Sequence, residues 1–246
     1  MNTEQNQLVE LYQTKLSYSV LKQLDTPENL SAPLLLNIHE SYLKSKTRMM
    51  FIGKETNHWL TKDRPSEDRK GINYLINHFD EAFERLFIRY DQALQSNIGK
   101  TKNDFFTQYN RFTNGELGSV VWNNLFKMSY DQQKSKKNNF SKSSINHSKL
   151  LSEISKNIFI EEVKILKPNI MIFVTGPSYD NIIKDFFPSY ETIEVKIEKR
   201  LWKFKFIMDE KEIICYRTIH PYYYKRNQKA EKDYYQLILD DIKSSH

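Results

Sequence analysis

Apolar positions along the chain fall into two patterns, one at helical spacing and one in short runs. Leu8, Leu11, Leu16, Val20, Leu21 and Leu24 recur at helical intervals, and a second helix is expected from Pro33 to about Lys44, with the proline in its first turn. "INYLINHFDEAFERLFIRYDQAL" reads as a long amphipathic helix and "KNDFFTQYNRF" as another. "LLSEISKNIFIEEVKIL" is helical up to a stop at Pro168, "PSYDNIIKDFF" opens a helix with Pro177 and Ser178, and a closing helix covers about Gln228 to Lys243. Between these lie the apolar runs "RMMFIG", "GSVVWNN", "NIMIFVTG" and "EIICYRTIH", which predict strands; the third is continuous enough for a strand buried on both faces. "ETIEVKIE" and "LWKFKFIMD" alternate like the two arms of a hairpin.

Strands that alternate with helices predict an α/β fold with a mainly parallel sheet. Each of the four apolar strands ends in a polar cluster: Gly53-Lys54-Glu55, Asn123-Asn124, Thr175-Gly176 and His220-Pro221. In open α/β sheets ligands bind at the carboxyl ends of strands, so these strands read as rigid mounts for a site. The 246 residues suit a single domain, 1–246, with a helical N-terminal region at 1–46. The Lys-, Ser- and Asn-rich stretch 131–149 reads as a flexible polar insertion.

Composition narrows the function classes. No apolar run approaches the length of a membrane span, and the N-terminus lacks the basic start and apolar heart of a signal peptide. A single cysteine, Cys215, supplies neither a disulfide framework nor a thiolate set for zinc or iron–sulfur. A cytoplasmic protein without metal, cofactor or membrane partner is expected. A net charge of +6 with 13% aromatic residues fits nucleic acid, because cations meet phosphates while rings stack on bases, and fits equally the Lys- and Asn-rich, Gly-poor composition that AT-rich genomes encode.

"FIGKETNHW" resembles the first motif of the uracil-DNA glycosylase superfamily, an apolar strand followed by Gly-Gln-Asp-Pro-Tyr or a relative. Gly53 matches the motif glycine, and Glu55 falls where the family carries its catalytic Asp or Asn. "TIHPYYY" resembles the closing motif, with His220 and Pro221 matching. "VVWNNLF" resembles the strand whose terminal Asn reads the base edge, matched by Asn123. "KGINYLI" puts Tyr74 where the family stacks a ring on the base, and "LKPNIMIFVTG" resembles the stretch that leads through a strand to a glycine, here Gly176. The five pieces occur in the family's order between Phe51 and Tyr224. The resemblance implies a three-layer sandwich with a central four-stranded sheet, helices on both faces and a small added β-hairpin.

It also implies a monomeric DNA glycosylase that flips a pyrimidine from DNA and hydrolyses its N-glycosidic bond, with no obligate protein partner. Such a reaction builds positive charge on the sugar and negative charge on the base. Glu55 is the residue to stabilise the first and orient water, and His220 the donor to the second. Gly53, Asn57, Tyr74 and Asn123 would surround the base. Lys54, Gly176, Tyr222, Tyr223, Tyr224, Lys225 and Arg226 would hold the DNA, with one tyrosine filling the hole the base leaves. His58 and Trp59 would lie at the pocket rim. The chain departs from the family at Thr56, where the motif has Pro, at Asn57, where uracil-specific members have a ring, and at Tyr222, where the closing motif has Ser. A short amide in place of a ring opens the wall against C5 substituents, so a modified pyrimidine, such as a hypermodified phage base, is the expected substrate. This would suit repair or defence against phage.

Two other readings stand beside it. Asp180 or Asp185 with Glu194 and Lys196 has the composition of a metal-dependent nuclease site, in which carboxylates hold the ion and Lys assists the water. A non-catalytic nucleic-acid binder on the same scaffold is the other, since fold does not dictate function.

Overall fold

The computed structural model describes residues 2–23, 31–56, 79–100, 103–129, 145–227 and 232–245. Asn57, His58, Trp59, Tyr74, residues 131–144 and the first turn of the expected closing helix lie outside the described residues. The chain forms two compact units: Met1–Asn37, Glu55–Gln92 and Asn124–Ile165 make the first, and Ile38–Lys54, Ala93–Asn123 and Leu166–His246 the second.

In the first unit, α1 (Thr3–Lys15) is capped by the Asn2 side chain, which accepts from the Gln5 N–H. The expected continuous N-terminal helix is broken after Leu16, and α2 (Tyr18–Gln23) starts anew. The reason lies in the spacing. Leu16 and Leu21 are both fully buried, yet five residues apart they would diverge by about 140° on one helix. The helix expected from Pro33 is also absent. Leu34, Leu35 and Leu36 are all fully buried, three in a row, which no single helix face accommodates. Their segment instead runs beside residues 127–129, with Ser31 N–H donating to the Ser129 carbonyl and Leu34 N–H to that of Lys127. Only α3 (Glu40–Lys44), in the second unit, keeps helical form. Two long helices follow, α4 (Phe79–Asn97) and α6 (Ile145–Leu166), so residues 145–149 of the expected insertion begin a helix.

The first unit's core holds charge. Lys127 Nζ lies 2.5 Å from Glu162 on α6, both side chains wholly buried, and Tyr12 of α1 donates to the same carboxylate at 2.6 Å. The Tyr12 hydroxyl in turn accepts from Leu36 N–H at 3.1 Å, and the ammonium sits 5.7 Å over the Phe159 ring. Burial beside Glu162 pushes the Tyr12 hydroxyl far above its ordinary pKa, and burial lowers that of Lys127 against the pull of the carboxylate.

The second unit is built on one six-stranded sheet, ordered β2-β1-β3-β6-β5-β4. Its strands are β1 (Met49–Gly53), β2 (Val120–Asn124), β3 (Ile170–Phe173), β4 (Glu191–Ile197), β5 (Leu201–Met208) and β6 (Lys211–Thr218). β1, β3 and β6 run parallel, while β5 and β4 continue the sheet in antiparallel fashion. This corrects the expected four-stranded sheet with a separate hairpin. β5 pairs with β6 along its whole length, from Leu201 opposite Thr218 to Met208 opposite Lys211. The intervening turn, Asp209-Glu210, has both φ angles positive, which is the two-residue geometry that matches strand twist.

Residues paired across a sheet share a face. Phe51, Ile172, Tyr216 and Lys203 are register partners on one face. There Phe51 packs on Phe105, Tyr109 and Phe112 of α5 (Asp104–Thr113), and Tyr216 and Lys203 bond to Asp241 of α9 (Tyr234–Ser244). The other face carries Ile52, Phe173, Arg217 and Trp202, with α7 (Asp180–Phe186) against it through an Arg217–Asp180 ion pair at 2.7 Å. Helices therefore pack on both faces. A short helix not foreseen in the sequence, α8 (Pro221–Asn227), follows β6 directly. Among the described residues no helix is long and apolar enough to cross a membrane.

Candidate functional site

The carboxyl ends of β1, β3 and β6 lie side by side in the second unit. Val174 N–H donates to the Ile52 carbonyl at 2.9 Å, and Gly176 N–H donates to the Thr218 carbonyl at 2.9 Å. Gly176 has φ 73° and ψ 171°, a conformation essentially reserved for glycine. A β-carbon there would meet the His220 backbone nitrogen at 3.9 Å, so the backbone angle and not crowding demands the glycine.

His220 stands at this edge, between β6 and α8. Tyr222 N–H donates to its Nδ1 at 3.3 Å, which leaves Nδ1 with its lone pair and places the ring proton on Nε2. Burial, together with the positive charge of Lys54, lowers its pKa to about 4, against an opposing effect of Asp104. The ring is thus neutral at ordinary pH, with Nε2–H as a donor. Lys54 Nζ also sits 5.2 Å over the Tyr179 ring, and Asp104 binds Lys225 at 2.7 Å. Gly53 is buried at the end of β1, and Asn123 is fully buried in β2.

The three tyrosines after His220 separate. Tyr222 and Tyr223 are 57% and 43% exposed, with Arg226 5.7 Å over the first ring and Arg200 5.3 Å over the second. Tyr224 is 4% exposed, packs edge-on against Tyr235 at 5.3 Å and hydrogen-bonds Asp233. It belongs to the core and is not available to the surface expected for it, because helical α8 turns its ring inward. Lys225 and Arg226 are exposed.

Glu55 follows Lys54 in the chain and belongs to the first unit, where it is half-buried. Its neighbour Thr56 is buried in a cluster of hydroxyls, 2.9 Å from Ser31 Oγ and 3.0 Å from Ser129 Oγ. Ser31 donates to the Ala32 carbonyl and accepts from Ser129 N–H, so Thr56 donates to Ser31 and accepts from Ser129. The cluster fastens the segment that carries Glu55 to two distant stretches of chain. Sequence reading had no signal for it beyond the unexpected Thr.

The nuclease set is not assembled. α7, which carries Asp180 and Asp185, lies against the Arg217 face of the sheet, with Lys184 5.6 Å over Trp202. Glu194 pairs with Lys203 on the opposite face, and there Lys196 contacts Glu194 at 3.7 Å and Asp241 at 3.0 Å. Asp241 is held at a pKa of about 2 by Lys203, Tyr216 and Lys196 in spite of partial burial. Among the described residues no group of three or more His, Cys, Asp or Glu side chains is placed to hold a metal ion. No protein-family model matches the chain, and no curated protein matches it.

Proposed function

We propose that the protein is a DNA glycosylase that hydrolyses the N-glycosidic bond of a flipped, modified pyrimidine. The observation that carries the reading is His220. It is a neutral imidazole at the carboxyl end of β6, with Nδ1 occupied by a backbone N–H and Nε2–H free to donate. A neutral donor of this kind stabilises a departing base anion without having to give up its proton. Gly53 and Gly176 each put backbone without a side chain at this edge, which suits close approach of a nucleotide.

Glu55, in this reading, supports the cationic sugar and orients the attacking water. Asn123 reads the base edge, and Asn57 in place of a ring admits a C5 substituent. The three-layer, glycosylase-like architecture is part of the same proposal, with the two added antiparallel strands as an extension of it. The test is abasic-site formation in EDTA on DNA carrying uracil, thymine mismatches, or hydroxymethylated or glycosylated cytosine, with wild type beside Glu55→Gln. Alkali-sensitive sites made by wild type alone support the reading and name the base. DNA binding without abasic product on any substrate would replace it with the non-catalytic binder.

A further inference from the structure

The β4–β5 turn carries chemistry that the glycosylase reading does not use. Leu201 opposite Thr218 puts this turn, Glu198-Lys199-Arg200, at the same end of the sheet as His220. Lys199 adopts φ 59°, a left-handed turn conformation, and its carbonyl accepts from buried Arg217 at 3.1 Å. Arg217 is itself pinned by Asp180. The turn is therefore held from below by a partly buried ion pair, and Arg200 is set 5.3 Å over the Tyr223 ring. Lys199 is exposed beside it.

Three cation–aromatic pairs now occupy one end of the sheet: Lys54 over Tyr179, Arg200 over Tyr223 and Arg226 over Tyr222. A guanidinium over an exposed ring gives two recognition elements in one place, a charge for a phosphate and an aromatic face for a base. An acidic protein surface would use the charge alone, and paired bases would offer no face to the rings. We infer that the β4–β5 turn and α8 together form a binding surface for an unpaired DNA strand, with Arg200 as the added contact beside the Tyr223 ring. This rests on the glycosylase reading, in which the nucleotides flanking a flipped base need a hold of their own.

The experiment measures binding of fluorescein-labelled oligothymidine across a salt series, with heparin as a base-free polyanion. Arg200→Ala is expected to weaken oligothymidine binding roughly tenfold and to reduce the salt slope by about 0.7, the value of one phosphate contact on a single strand. Arg200→Lys should keep the slope and recover part of the affinity. Tyr223→Ala should weaken oligothymidine binding roughly five- to hundredfold while leaving heparin binding unchanged. Losses of equal size on heparin and oligothymidine in both variants would indicate plain anion attraction and overturn the inference. So would unchanged oligothymidine binding by Arg200→Ala and Tyr223→Ala, and if wild type still makes abasic sites then the glycosylase reading survives. A wild type that neither binds DNA nor makes abasic sites would remove both.

Discussion

Two polar clusters in this protein are built from similar residues to opposite ends. In the first unit Lys127, Glu162 and Tyr12 are shut away from water, and the ammonium, carboxylate and hydroxyl each face a partner. At the strand ends of the second unit, Lys54 and Asp104 act on His220 in opposite directions, and Tyr222 and Tyr223 beside them remain exposed. The difference teaches how to separate charge that supports the fold from charge available for chemistry. A closed network exchanges hydration for internal partners, and removing one member strands the others. An edge cluster at the carboxyl end of parallel strands keeps donors that face outward.

Lys127→Met should leave Glu162 buried without its counter-charge and destabilise the protein by about 3–5 kcal/mol in urea unfolding, while Lys127→Met with Glu162→Leu recovers most of that loss. A small effect of the single change would show that water reaches the pair. Thr56→Val removes a donor and an acceptor from the buried hydroxyl cluster and should cost about 1–3 kcal/mol, with Thr56→Ser nearly neutral. If Thr56→Val also lowers single-turnover rate at saturating DNA, and Thr56→Ser restores it, the cluster positions Glu55 as well as the fold.

The finest test concerns His220 alone. Imidazole nitrogen NMR should report a proton on Nε2 and none on Nδ1, with no titration until the pH nears 4. In the unfolded chain the same ring takes up a proton below about pH 6.5. The unfolded state then binds more protons, so this group's effect is to lower stability as pH falls from about 6.5 to about 4. Titration of the folded ring near 6.5 would place His220 in the open.

Much of this was legible in the chain. The runs at β1, β2, β3 and β6 are short, apolar and bounded by turn residues, and their polar ends were visible as dipeptides. The β5–β6 hairpin was not, because Asp209-Glu210 lacks the Asn-Gly signature of a turn with two positive φ angles. α8 was hidden too: three tyrosines in a row look alike in sequence, and only the helix sends Tyr224 inward while Tyr222 and Tyr223 stay out. The Lys127–Glu162 pair joins residues 35 apart, and a lone Lys in "NNLFKMSY" carries no sign that it is buried. The nuclease set failed for a similar reason, since spacing along the chain does not reveal which face of a sheet each member takes.

The central claim is that a neutral His220 at the end of β6 donates to the leaving base. Its most direct test is the single-turnover rate of abasic-site formation by wild type and His220→Ala from about pH 8 to about pH 5, on whichever modified substrate wild type accepts. The account predicts a loss of about 10²–10³-fold in His220→Ala at every pH, and for wild type no inflection near pH 6.5 attributable to this histidine. A His220→Ala rate equal to wild type, or a wild-type inflection near 6.5 that disappears with the histidine, would contradict it.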